Sequence, residues 1–515
     1  MMMRIFLYAL VIGFATLSAQ AQKENQPYQL LEGEVGRIGR NTHVSDIIAT
    51  SQETYLLKEK GKKAILEKYG ASMNLLGRNE LDLKEGEKQK KLEFLVSFGE
   101  RLCLFTSFRN AQFKTNYLFM QTVNRETLEP NSDLRSVCEI PFLAKFNDGG
   151  FGYNISGDST KLVVYYDLPF QKGEAERFGY LVLDRGLNVL SKREVTMPYD
   201  DELVVIKNYQ LSNEGELFLS ALLYNEKPQP KRGGKVNYKY LIISYRPNTD
   251  DANQYIVDLE GKFITDLQFL IAESALICGG LYSEEGIDGV KGTFYMSLDP
   301  ATNKVKHATF KEFPADFLQQ FMSPKKVKKG KELYKYDLRE LLWQKDGSVL
   351  MLAEQYYIST TTSPVSDGRG GYTYRSTYSY HYNDIIAVHV TALGQIDWTT
   401  KIPKTQISRN DRGRYSSFVF GQDVNKTYLL FNDNPKNMEA ATGKKTANLI
   451  RNKKTVLVMV TLDSEGGLSK QVVLNAGTFK VLPRPKVSRQ LIQGEVLLFG
   501  QKGRRQRLAK ILLNN

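Results

Sequence analysis

Motifs that carry chemistry are what this sequence lacks. Its four histidines, His43, His307, His381 and His389, are spread over 515 residues. No two stand in the H-E-x-x-H spacing by which one helix face offers two imidazoles to zinc. There is no G-x-S-x-G elbow and no phosphate-binding glycine loop. Carboxylates are abundant, but without a fold-specific frame no pair can be selected as the acid and base of a glycosidase. The sequence therefore names no metal, no cofactor and no catalytic residue. Cysteine is scarce too: Cys103, Cys138 and Cys278 are an odd set, which excludes a full complement of intrachain disulfides. Each lies in or near an apolar strand-like run and reads as a small buried hydrophobe. Cys103 and Cys138 fall on the second and fourth strands of one unit, about 9 to 10 Å apart at the usual strand spacing, too far for a bridge.

Long apolar runs are also missing after the N-terminus. The chain opens MMMRIFLYALVIGFATLSAQAQKENQ, with Arg4 ahead of an apolar run from Ile5 to Leu17 and an A-x-A pattern at Ala19–Ala21. The run is shorter than the roughly 20 residues a bilayer requires, so residues 1–21 read as a secretory signal peptide. No Cys ends the run, so no lipid anchor is indicated. The expected location is secreted, in the periplasm or at the cell surface. The formal charge of +13 is high for such a chain and points to anionic partners.

What is present is β-forming residues and repetition. Tyr (29) and Phe (26), with many Val, Ile and Thr, favour strands. Beyond residue 40 one unit recurs: a short strand, a polar turn, an apolar strand, a variable loop, another apolar strand, a turn rich in Asp, Asn or Gly, and a last strand. FLVSFGERLCLFTSF (94–108) followed by NYLFMQTV (116–123) shows it, as do YNISGDSTKLVVYYDL with FGYLVLDRGLNVL and YQLSNEGELFLSALLYNE with YKYLIISYR. About eight units of roughly 40 to 75 residues lie in the range of propellers and solenoids. The last unit, 487–515, has three strands, and residues 28–36, YQLLEGEVG, supply the missing outer one. Residues 22–515 are thus expected to form a single domain closed into a ring.

Four-stranded antiparallel units at this spacing resemble the blades of a β-propeller. The expectation is an all-β fold of about eight, alternatively seven, blades. The chain resembles an uncharacterised secreted bacterial β-propeller, in architecture only: no WD dipeptide recurs and no kelch repeat is visible. The resemblance carries over no functional residue.

In a blade whose strands run a to d from the axis outward, the b–c and d–a connections share one rim, and the a–b and c–d turns share the other. On the first rim the sequence collects Lys231 and Arg232, Arg375, Lys444, Lys445, Lys453 and Lys454, and Arg504 and Arg505. The d–a segments add the lysines of SPKKVKKGK (323–331) and Arg409, Arg412 and Arg414. Asp and Glu gather in the turns of the other rim, where they are ordinary turn chemistry.

From the basic rim rises GGYTYRSTYSYHYNDIIAVHV (370–390). Read as one continuous strand paired with VLMLAEQYY (349–357), it places Tyr372, Tyr374, Tyr378, Tyr380 and Tyr382 on the face of Ile386, Val388 and Val390, with Arg375 and His381 opposite. The tyrosine row either packs on a neighbouring blade or forms an exposed ladder suited to sugar rings. Two functions follow. One is a non-catalytic binding scaffold for an anionic polysaccharide or an acidic envelope protein, with Lys231, Arg232, Tyr374, Arg375, Tyr378, Tyr380, His381, Lys444, Lys445, Lys453, Lys454, Arg504 and Arg505 as contacts. The alternative is a lyase on an anionic glycan, with Tyr380 or His381 as base and Arg375 stabilising the enolate-like charge. The secretory address disfavours nucleic acid, and no oligomeric state can be read.

Overall fold

The computed structural model describes residues 27–513 apart from residues 51, 86–87, 143–148, 170–172, 248, 250, 260, 273–274, 300–303 and 439–445. The expected signal peptide lies outside the described residues, as do Lys444 and Lys445.

The described residues form eight antiparallel sheets of four or more strands. Seven are meanders of consecutive segments, starting at His43, Lys91, Phe151, Val204, Phe263, Tyr336 and Val419. The eighth joins the two ends of the chain: Tyr28–Glu32 runs antiparallel to Arg505–Leu513, pairing Tyr28 with Leu513 and Glu32 with Ala509. We number these blades 1 to 8.

The second and third strands of each blade are apolar on both faces because both faces are covered. Leu217–Tyr224 in blade 4 and Leu276–Ser283 in blade 5 are buried almost throughout. By contrast the outermost strand Lys304–Glu312 of blade 5 is exposed along nearly all its length. Eight apolar clusters fill the gaps, each made by two successive blades. Blades 1 and 2 meet through Leu57, Leu66, Leu95 and Leu104, and blades 4 and 5 through Ile242, Phe269 and Phe294. The eighth cluster closes the circle: Leu497, Phe499 and Leu508 of blade 8 pack on Ile47, Leu56 and Tyr69 of blade 1. The fold is an eight-bladed β-propeller.

First strands of neighbouring blades touch around the axis. Gln210 in blade 4 donates to the carbonyl of Phe269 in blade 5 at 2.6 Å, and Gln268 in blade 5 donates to that of Leu338 in blade 6 at 2.6 Å. Arg489 in blade 8 reaches Asp46 in blade 1 at 2.9 Å. The three thiols are free and buried. Cys103 and Cys138 share the cluster between blades 2 and 3, where burial pushes their pKa values up to about 11 and about 12. Among the described residues no helix is long and apolar enough to cross a membrane.

Candidate functional site

Blade 6 departs from the others. Its middle strands, Val349–Ser366 and Tyr372–Val390, are 18 and 19 residues long. They stay paired from Val349 with Val390 out to Ser366 with Tyr372. Only the first third of this hairpin lies within the blade. The rest projects as an arm of roughly 35 Å at the usual rise per residue. Asp367 caps the tip by accepting from the amides of Arg369 and Gly371. At the root Gln406–Arg409 adds a third strand against Ser379–Tyr382.

One feature of the arm corrects the sequence reading. The pairing shifts between Glu354 with Ile385 and Tyr356 with Tyr382, so Asn383 and Asp384 together oppose Gln355. This bulge exchanges the faces. Within the blade, Ile386, Val388 and Val390 pack toward blade 5, while Ile385 and Ala387 pack toward blade 7. Beyond the bulge Tyr382 turns toward blades 7 and 8, where Lys486 donates to its hydroxyl at 3.0 Å. His381 turns the other way and stacks on Tyr357, ring centroids 4.2 Å apart, beside Tyr334 from the connection between blades 5 and 6. The tyrosines therefore continue the face of Ile385, not that of Ile386.

The tyrosine row does not pack on a neighbouring blade at its outer end. Tyr382 is buried, but Tyr378 is 47%, Tyr372 72% and Tyr374 77% exposed. Ile358 and Pro364 stand opposite Tyr380 and Tyr374, so the face is a mixed aromatic and aliphatic ribbon. The lyase constellation is not assembled. Tyr380 lies on the opposite face from Arg375 and His381, and the latter two are six residues apart on one strand, about 20 Å. His381 is bonded to Ser359 Oγ at 3.0 Å, and partial burial lowers its pKa, which keeps the ring neutral at neutral pH.

The arm is rooted in a buried ionic knot. Glu354, the last residue before the bulge, meets Lys404 Nζ at 2.6 Å, with both side chains fully buried. Lys404 Nζ also donates to the carbonyl of Tyr382 at 3.0 Å and to Gln406 Oε1 at 3.2 Å. Ser417 Oγ donates to Glu354 Oε2 at 2.7 Å, and Arg339 Nε approaches the same oxygen at 3.2 Å. Beside the knot stand further cations: Lys486, bonded to the Tyr382 hydroxyl, and Arg414 and Arg484, both bonded to Gln501 Oε1 at 2.5 and 2.9 Å. Burial lowers the pKa of Lys486, with Arg339 adding to the effect. Burial, with Arg414 adding to it, pushes that of Arg484 down to about 10.

On the other side of the root lies a cleft of about 530 Å³. Phe321, Met322, Tyr334 and Tyr336 line it together with Lys326 and Lys329 from the lysine-rich connection between blades 5 and 6.

The sequence-selected cations among the described residues fall on one rim by strand order. Lys231 and Arg232 form a small hairpin with Lys235–Val236; Lys231 is bonded to the carbonyl of Glu285 and Arg232 to Glu226. Arg375 is exposed on the arm, and Lys453 and Lys454 are exposed in the turn before Val456–Leu462. Arg504 and Arg505 sit at the turn of blade 8, with Arg505 opposite Arg37. Sequence reasoning missed Arg339, Arg484 and Lys486. The signal for the last two was LPRPK (482–486), a d–a connection in which two prolines stiffen the backbone around two cations.

No family model matches the chain, and no curated protein matches it. Among solved structures it is similar to the WD40 domain of SCAP from fission yeast, with 8% identity, 95% of this chain and 99% of that one covered, and a TM-score of 0.40. It is also similar to a prolyl endopeptidase, at 13% identity, 82% and 55% coverage and a TM-score of 0.36. A third is oligopeptidase B from Leishmania major, at 11%, 84% and 46%, with a TM-score of 0.34.

Proposed function

We propose that this propeller is a secreted, non-catalytic binding scaffold whose b–c and d–a rim holds an anionic envelope polymer. The observation that carries the reading is the arm: its tyrosine face is solvent-exposed at Tyr372, Tyr374 and Tyr378, and its root stands beside cations. Aromatic faces accept the C–H faces of sugar rings while the phenol hydroxyls hydrogen-bond to their hydroxyl groups. The charge of +13 draws the polymer in. The cleft with Lys326 and Lys329 at the arm's foot supplies cations next to aromatic surface. The exposed lysines 453 and 454 and Arg375 on the same rim act as steering charge, each worth little singly.

The test is a glycan-array screen of the secreted chain at low and moderate salt. Binding to acidic glycans that weakens as screening shortens to about 8 Å is the expected result. Silence on every acidic glycan at low salt overturns the reading.

A further inference from the structure

Arg414 and Arg484 come from different connections, one before blade 7 and one before blade 8, yet their guanidiniums meet on a single atom. Arg414 Nη2 donates to Gln501 Oε1 at 2.5 Å, and Arg484 Nη1 donates to the same oxygen at 2.9 Å. That acceptor is a neutral amide, already used for its own part through Nε2, which donates to the carbonyl of Gly503 at 3.3 Å. Among the described residues neither guanidinium has a carboxylate within 4.0 Å, whereas 26 other acid–base contacts of the chain do appear at that range. The Nε–H of Arg484 is buried without an acceptor. Lys486, two residues on, is bonded to neutral oxygens, the Tyr382 hydroxyl at 3.0 Å and the Arg412 carbonyl at 2.8 Å.

The carboxylates nearby are committed elsewhere. Glu354 holds Lys404, Ser417 and Arg339. Asp411 holds Arg451 and accepts from Ser408 Oγ at 2.6 Å. The two guanidiniums are thus brought together without a counter-charge of their own, at a cost in mutual repulsion and desolvation, while Lys486 beside them feels Glu354 and Asp411 only through space. The arrangement is nonetheless held firmly. Pro483 and Pro485 bracket Arg484, Phe499 lies under its guanidinium at 5.6 Å, and Tyr382 lies under Lys486 at 4.8 Å. Donors fixed in place with no anionic partner are the condition in which an oxyanion binds, because its oxygens take the unused N–H groups and cancel the repulsion.

We propose that Arg414, Arg484 and Lys486 form a binding site for one oxyanion group: a phosphate, a sulfate or a carboxylate. The inference deepens the reading above and rests on it only for the polymer that carries the group. The site lies beside Tyr382 at the arm's root, so a chain lying along the tyrosine face delivers its charged substituent there.

The experiment is thermal unfolding of the full secreted chain in inorganic phosphate, sulfate or glucuronate, each against chloride at equal ionic strength. The expected result is a saturating rise in the unfolding midpoint with at least one of the three, lost in R414Q and in R484Q. R414Q alters an exposed side chain and R484Q removes a half-buried unpaired charge, so both variants retain the fold. The anion giving the largest shift identifies the group. If no oxyanion exceeds chloride, or if both variants respond as the parent does, the site is refuted. Polymer capture read in parallel separates the two claims. A parent that binds polymer but shows no oxyanion response refutes the site alone. An intact oxyanion response with no polymer bound refutes the scaffold reading alone.

Discussion

Glu354 and Lys404 face one another at 2.6 Å at the point where the arm leaves blade 6, and solvent reaches neither side chain. The pair ties the hairpin to the connection that follows the blade's last strand, and through Ser417 and Gln406 to the start of blade 7. Removing Lys404 leaves the buried Glu354 carboxylate with only Arg339 and Ser417 to balance it, and breaking such a buried pair costs up to about 3 to 5 kcal/mol. Lys404→Met is therefore expected to lower the stability from urea unfolding by that amount. The double variant Glu354→Leu with Lys404→Met should recover much of the loss. A single variant as stable as the parent contradicts the buried pair.

The outer tyrosines should be separable from the fold. Tyr372→Ser with Tyr374→Ser removes side chains that are more than two-thirds exposed, and exposed substitutions change stability by less than about 0.5 kcal/mol. The expected outcome is an unchanged unfolding midpoint and at least a tenfold loss of affinity for any acidic glycan that the parent binds. Unaltered affinity removes the arm from the interface.

Blade 3 predicts a pH dependence. Burial, and then a hydrogen bond to Asp201, push the carboxyl of Glu176 up to about 9. A folded-state pKa above the unfolded value means that the native protein binds this proton more tightly. The contribution is fully present below the unfolded value of about 4.5 and is lost progressively as pH rises to about 9. Urea midpoints measured from pH 5 to 9 should fall, and Glu176→Gln should flatten that fall. Equal slopes in parent and variant dismiss the assignment.

Gly413 is required by its neighbour. It sits at φ +62°, and a Cβ there would lie 2.2 Å from Cε2 of Tyr382. Gly413→Ala should displace Tyr382 or the loop bearing Arg414, on top of the roughly 1 kcal/mol that a left-handed backbone costs a non-glycine residue. Thermal unfolding at a lower temperature, with a weakened oxyanion response, is the expected result. A variant matching the parent in both removes the requirement.

The thiols give a direct test of the core. Cys103, Cys138 and Cys278 are buried and free, so a thiol reagent should find none in the native protein and three after denaturation. Rapid labelling of Cys103 or Cys138 under native conditions breaks the packing between blades 2 and 3.

Much of the architecture was legible because a propeller writes its order into local patterns. Each blade is a meander, so strands such as LFLSALLY and YKYLIISY announce themselves as apolar runs separated by turn residues. The short final unit pointed to residues 28–36 as its fourth strand, and Tyr28–Glu32 within them pairs with Arg505–Leu513. The arm and its Gly-rich tip were legible for the same reason. The face of the tyrosines was not: pleat alternation carries no mark of the extra residue at Asn383–Asp384, and one unpaired residue reverses every side chain beyond it.

The cation group shows the same division. Rim membership follows from strand order alone, so Lys231, Arg375, Lys454 and Arg504 could be assigned to one end of the ring from the sequence. Which cations converge depends on how closed blades 6, 7 and 8 set their connections around the axis. Arg339, Arg414 and the Arg484–Lys486 pair are far apart in sequence, and no local pattern links the three segments. By itself the sequence determined the repeat, the polarity of the strands and the length of the arm, because these are properties of neighbours along the chain. Only the tertiary structure decided that Glu354 finds Lys404 and that two arginines share Gln501, because burial and counter-charge are set by residues that meet only when the ring has closed.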